Sequence, residues 1–150
     1  MHNLSTEYCT VIHADYQGFS TYIISAYFQY CHDIVRHLEH LSYVMDRLGG
    51  TPVLIGVDST AHSPLWFCER RQYSGRGPDI EHRKIQMESF ILSRGLLIHN
   101  KQGQPPTFNG PNGPSNVDFR LSSRGVILKD WRVHEGASVN DHQLITYLIL

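Results

Sequence analysis

Polar and apolar positions change their spacing several times along the chain, and each change predicts an element. Residues 9–14 and 21–28 are short runs rich in β-branched and aromatic side chains (Val11, Ile12; Tyr22, Ile23, Ile24, Tyr27), separated by Gln17-Gly18-Phe19 as a turn. Such a pair predicts a β-hairpin. From residue 32 the period switches: Ile34, Leu38, Leu41, Met45 and Leu48 recur at spacings of 4, 3, 4 and 3, one apolar face of a helix over 32–48 that Gly49-Gly50 ends. Residues 52–57 are continuously apolar around Val53, Leu54 and Ile55, the pattern of a strand covered on both faces. Residues 80–94 predict a second helix with Met87, Phe90 and Ile91 on one face and Gly95 as its stop. Residues 96–99, 117–121, 126–133 and 144–150 predict further strands, and 101–114 is rich in turn residues. Strand, helix and strand in this order predict an α/β or layered α+β architecture.

Between these elements lies a long segment, residues 59–79, with Pro64, Gly75, Gly77 and Pro78 and no period. Loops of that length are uncommon in compact domains unless they carry function. No repeat or linker divides the chain, so residues 1–150 are expected to form a single domain.

Composition narrows the class. The chain has 150 residues, 18% of them charged and 11% aromatic, which excludes a disordered chain. Gly 12 and Pro 7 are ordinary counts and exclude collagen-like and low-complexity readings. A net charge of −1 excludes a strongly basic nucleic-acid coat protein but leaves room for a local basic patch. Cys9, Cys31 and Cys68 form no CxxC pair, so neither a zinc ribbon nor a disulfide framework is supported, and reduced intracellular thiols are expected. Residues 1–10 carry no secretory leader. The longest apolar stretches, 22–28 and 144–150, fall far short of the ~20 residues that span a bilayer, so no membrane is expected.

Four constellations carry chemistry. Gly56-Val57-Asp58-Ser59-Thr60-Ala61-His62-Ser63 sets Asp58 at the end of a buried strand, where a carboxylate is fixed and a loop admits substrate; an Asx-turn is the alternative use of the same Asp. Asn140-Asp141-His142 offers a carboxylate for a hard cation and an imidazole for acid–base or phosphate contact. Ser115-Asn116-Val117-Asp118 places Asp118 in an otherwise apolar strand, where it needs a partner, and His142 is the natural candidate. Trp66, Arg70, Arg71, Tyr73 and Arg76 fall in the long loop, and this mixture suits a phosphate backbone with stacked bases, or else a solvated surface. Ten His residues include His32, His37 and His40 on the first helix, but their spacing matches no metal motif, and they read as surface residues.

Taken together, Ser25-Ala26-Tyr27, the Asp58 segment, the Asp118 segment and Asn140-Asp141-His142 resemble the endonuclease/exonuclease/phosphatase superfamily. Ala61-His62-Ser63-Pro64-Leu65-Trp66, Tyr73-Ser74-Gly75-Arg76-Gly77-Pro78 and Asp130-Trp131-Arg132-Val133 are similar to the apurinic/apyrimidinic-like endonuclease domain of arthropod non-LTR retrotransposons. The resemblance implies a DNase I-like α+β fold, two β-sheets packed face to face with helices outside. It implies metal-dependent hydrolysis of DNA, with Mg²⁺ or another divalent cation, to nick a target for a reverse transcriptase on the same polypeptide, in the nucleus. Carried over, Asp58 handles proton transfer, Tyr27 and His142 contact the phosphate, Asp118 orients His142, and Asp141 lies near the metal. Thr60 stands where the family has an Asn that contacts phosphate, and Asn140 where it has a Ser. The family's N-terminal strands, bearing an Asn and a metal-binding Glu, have no counterpart before Tyr27. The chain therefore reads as N-terminally truncated, with an inactive DNA-binding remnant or another phosphoesterase of the superfamily as the alternatives to an endonuclease.

Overall fold

A computed structural model describes residues 4–68, 78–111 and 113–150. Strands β1 (Cys9–Tyr16) and β2 (Phe19–Tyr27) form the expected hairpin, paired in antiparallel register from Tyr16↔Phe19 to Cys9↔Ala26. Gln17 and Gly18 both take positive φ, 48° and 80°. Two consecutive left-handed residues make the turn whose twist matches its strands, and so both strands run further toward the turn than the apolar pattern marks.

Helix α1 (Ile34–Leu48) begins where Asp33 accepts a hydrogen bond from the Val35 N–H at 3.0 Å. Its buried stripe is Ile34, His37, Leu38, Leu41, Val44 and Leu48. Two differences from the sequence reading follow from the helical period. Val44 takes the innermost place and Met45 lies only partly buried beside it. His37, expected at the surface, lies one turn from Ile34 on the inner stripe and stacks on Phe28 with ring centroids 5.1 Å apart. Burial pushes its imidazole down to about 4, so the ring is neutral at pH 7.

The chain returns through β3 (Val53–Asp58), parallel to β2 and antiparallel to β7 (Asp118–Ser122). With β4 (Leu97–Ile98) these make one five-stranded sheet ordered β1-β2-β3-β7-β4. Among the described residues a 3₁₀ turn, Pro64–Trp66, and helix α2 (Pro78–Ser93) lie between β3 and β4. Two short strands, β5 (Phe108–Gly110) and β6 (Gly113–Ser115), lie in the segment read only as turns. Three-residue strands beside Gly110, Gly113 and Pro114 are too short to alternate visibly. Strands β8 (Leu128–His134) and β9 (Leu144–Ile149) form a separate antiparallel pair with a bulge between Lys129 and Arg132.

Alternation along the central strands sorts the two faces of the large sheet. Ile24, Ala26, Val53, Ile55, Val57, Phe119 and Leu121 join Leu38, Leu41 and Val44 of α1 and Met87, Phe90 and Ile91 of α2 in one core cluster. The opposite face carries Ser25, Tyr27, Gly56, Asp58, Asp118 and Arg120, in register across β2, β3 and β7. The Arg120 guanidinium lies over the Tyr147 ring at 5.9 Å, which brings β9 against this second face. The helices thus take the apolar side, and the polar side is left for chemistry. Among the described residues no helix is long and apolar enough to cross a membrane.

Candidate active site

Asp58 ends β3 and stands opposite both Tyr27 of β2 and Asp118 of β7. The sheet register therefore sets a phenol and two carboxylates in one row. His142 comes from the loop before β9, and backbone contacts to the segment around β5 hold that loop. Asn109 N–H donates to the Asp141 carbonyl at 2.8 Å, Gln143 N–H to the Thr107 carbonyl at 2.8 Å, and Phe108 bridges His142. The Phe108 ring meets the His142 imidazole edge-on, centroids 4.9 Å apart.

The result is an imidazole between two carboxylates. His142 Nδ1 lies 2.9 Å from Asp118 Oδ2, the partnership expected from sequence, and Nε2 lies 3.5 Å from Asp58 Oδ2. The Asp58 and Asp118 side chains are 16% and 15% exposed, and His142 is 45% exposed, so the acids are recessed and the imidazole faces solvent. Burial, with the Asp118 charge adding to it, pushes the Asp58 carboxyl up to about 6. His142 is shifted up as well, chiefly by its hydrogen bond to Asp118, with the charges of Asp118, Asp58 and Asp141 acting in the same direction and partial burial opposing them. The site thus holds one carboxyl that binds its proton unusually well and one imidazole that tends to remain charged.

Asn116 and Thr107 brace the strand that carries Asp118. The Asn116 side chain accepts from Thr107 N–H at 3.0 Å and donates to the Phe67 carbonyl at 2.9 Å, while Thr107 Oγ1 accepts from Asp118 N–H at 3.2 Å. The Asn two residues before Asp118 therefore serves the loops around the site.

Other expected site residues fall differently. Tyr27 is exposed and borders a cavity of about 390 Å³ together with Gly56, Asp58, Asp118, Arg120 and His142. Thr60 turns its hydroxyl inward: Oγ1 donates toward the Ser59 carbonyl at 2.6 Å and the Phe28 carbonyl at 3.2 Å, and accepts from Arg83. Asp141, expected near a metal, stays outside the set of donors that could close on one ion; among the described residues that set is Asp58, Asp118 and His142, with donor atoms within 4.8 Å of one another. Trp66 needs correction. It is fully buried, stacked on Phe119 at 4.5 Å, and donates from Nε1 to the Ala61 carbonyl at 3.3 Å, so neither ring face is open to a base. An apolar ring behind Pro64 in a 3₁₀ turn closes the core instead of extending into solvent. Arg70, Arg71, Tyr73 and Arg76 lie outside the described residues.

Sequence reasoning passed over Arg83, Arg120 and Phe108. Arg83 sits among charged residues of α2, where nothing marks it as buried. Arg120 was visible as a cation on the same strand face as Asp118, two residues on, and that spacing is a usable signal. Phe108 is isolated among glycines and prolines.

Comparison with known proteins fits this geometry. Residues 21–146 match the family model described as endonuclease-reverse transcriptase. The retrovirus-related Pol polyprotein from type-1 retrotransposable element R1 of Bradysia coprophila is 32% identical over 128 residues, 84% of this chain and 13% of that protein. A 115 kDa protein in the type-1 retrotransposable element R1DM of Drosophila melanogaster is 24% identical over 148 residues, 95% of this chain and 14% of its own length. Among solved structures, the endonuclease domain of TRAS1, a telomere-specific non-LTR retrotransposon, superposes with a TM-score of 0.81 at 23% identity, covering 98% of this chain and 65% of that domain. The fold is therefore the DNase I-like α+β fold, and the chain spans only a small part of the curated relatives it matches.

Proposed function

We propose that this chain, which belongs to the endonuclease-reverse transcriptase family, hydrolyses phosphodiester bonds of double-stranded DNA with a divalent cation, Mg²⁺ for choice. The observation that carries this reading is the His142 imidazole held between Asp118 and Asp58 on the polar face of the sheet. In phosphodiester hydrolysis a water oxygen bonds to phosphorus, the bond to the leaving oxygen breaks, and a proton leaves the water. Asp58 is suited to take that proton. A carboxyl near 6 is largely ionised at pH 7 yet more basic than an ordinary one. His142, fixed by Asp118, which favours its charged form, presents Nε2 to the negative charge on the phosphoryl oxygens. Tyr27, beside Asp58 in the register, offers a phenol to the same phosphate.

The donors suit a hard cation in part. Two recessed carboxylates crowd negative charge, which a divalent ion relieves, and Mg²⁺ is commonly held by one or two carboxylates. Asp118 would hold it, leaving Asp58 for the proton, whereas the imidazole is a poor ligand for Mg²⁺ and remains for the phosphate. When bound, the ion would neutralise charge developing on the phosphoryl group.

In the polyprotein setting of the relatives, this activity would nick target DNA in the nucleus for a reverse transcriptase on the same polypeptide. The test is nicking of supercoiled plasmid with Mg²⁺ by the chain, Asp58→Ala and His142→Ala. Loss of nicking in both variants is expected; equal nicking by all three rejects the assignment.

The inward hydroxyl of Thr60 favours a second reading, a DNA-binding module without cleavage, because no side-chain donor then stands where the family's Asn does. In that reading Arg70, Arg71 and Arg76 hold the DNA backbone. Their replacement weakens binding and lowers the salt slope, and wild-type chain retains DNA without nicking it.

A further inference from the structure

Arg83 is the most buried charged side chain of the described structure, 2% exposed, and no carboxylate lies within ion-pair distance of it among the described residues. Its hydrogen-bond partners among the described residues are neutral, and the charges of Asp79, Asp33 and Asp58 act on it only through space. Nε donates to the Thr60 carbonyl at 3.3 Å, Nη1 to the His32 carbonyl at 2.8 Å, and Nη2 to the Ser59 carbonyl at 3.4 Å and to Thr60 Oγ1. Four of the five guanidinium N–H groups are thereby engaged. A buried cation is costly unless it is hydrogen-bonded, and here the bonds fall on the backbone of the loops after β2 and β3.

Thr60 is the residue that needs holding. Its φ is 51°, in the left-handed region that a β-branched side chain avoids. From that conformation its N–H reaches back to Asp58 Oδ1 at 3.3 Å, while Asp58 Oδ2 faces His142. Arg83, Thr60 and Asp58 therefore form a continuous chain of hydrogen bonds running from α2 to the carboxylate. All three border a cavity of about 430 Å³ that also includes Tyr27 and His142.

We infer that Arg83 is a positioning residue of the site: by clamping Thr60 in its left-handed conformation, it aims the Asp58 carboxylate at His142. The Thr60 hydroxyl, inward and occupied, is part of this clamp rather than a contact to substrate. The inference rests on the hydrolytic reading only for its catalytic readout.

The experiment uses four proteins, wild type, Arg83→Gln, Thr60→Gly and the double variant, with Arg83→Lys as a fifth. Glycine adopts left-handed backbone without a clamp. If Arg83 acts through Thr60, Thr60→Gly rescues Arg83→Gln. Arg83→Gln should lower plasmid-nicking kcat by about 10- to 100-fold with KM within about threefold, because misplacement of a reacting group falls on turnover. Adding Thr60→Gly should restore at least about tenfold of the loss. Arg83→Lys should resemble Arg83→Gln, since one ammonium cannot span three carbonyls. Unfolding midpoints of the same proteins give a cycle independent of cleavage, in which the two substitutions should be clearly non-additive. Additive effects in both readouts, or full activity in Arg83→Lys, overturn the clamp. Non-additive unfolding with no nicking by any of the five upholds the clamp and rejects the hydrolytic reading instead.

Discussion

Replacing Asp58 by Asn should stabilise the protein at neutral pH while abolishing its proposed activity. The folded carboxyl titrates at about 6 against an ordinary value of 3.8. A group that binds its proton more tightly when folded contributes stability fully present below the unfolded value and lost as pH rises through the folded one. At pH 7 the ionised Asp58, recessed and beside Asp118, therefore burdens the fold. The two values differ by about two pH units, each worth about 1.4 kcal/mol, which puts the burden at about 3 kcal/mol as an upper limit. The value of about 6 is already net of the attraction to His142, and Asn keeps an oxygen for the Thr60 N–H; discounted for the solvent that still reaches this recessed site, a net gain of about 1–2 kcal/mol is expected at pH 7. In a domain of this size that is a rise of roughly 2–8 °C in the unfolding midpoint. The assay is thermal or urea unfolding of both proteins from pH 4 to 8 in chelator, then with Mg²⁺ added. The gain should shrink as pH falls through about 6 and be small at pH 4, where the folded carboxyl is protonated and the unfolded one is near its own midpoint, and Mg²⁺ at pH 7 should stabilise the wild type more than the variant. A variant less stable than wild type at pH 7, or a gain independent of pH, would refute the reasoning.

Three further outcomes are expected. Asp118→Asn removes the main cause of the upward shift at His142; the charged imidazole is then lost at lower pH, and the alkaline limb of the pH–rate profile for nicking should move to lower pH. Gly110→Ala would place a Cβ 2.5 Å from the Phe108 ring, which must leave its contact with His142. Reduced nicking is expected with a loss of only about 1 kcal/mol in urea unfolding, because the half-buried ring can swing aside. Trp66→Ala should cost about 3–5 kcal/mol of stability, yet the DNA affinity of the molecules that remain folded should match wild type in a binding titration at low temperature, because the ring meets Phe119 and not DNA.

The hairpin, both helices and the central strand were legible along the chain because each obeys one period that burial enforces locally. Ile34 through Leu48 had to face one way, and Gly49 and Gly95 had to end their helices whatever lay across from them. Asp58, Asp118 and His142 could be named because their residue types and order resemble a known family, and an Asp in an apolar strand needs a partner. The register Tyr27↔Asp58↔Asp118 was not legible. It depends on how three strands distant in sequence slide past one another, and only their packed faces decide that. The same holds for Trp66 and His37, whose types fit either surface or core until the neighbouring layer is in place. Arg83 is the sharpest case. On its own helix it is one more charged residue, and only the approach of α2 to the loops after β2 and β3 turns it inward. The sequence supplied the groups and the order in which they are strung. The tertiary structure decided which of them meet, because desolvation and hydrogen bonding between segments far apart in the chain exist only once the layers close.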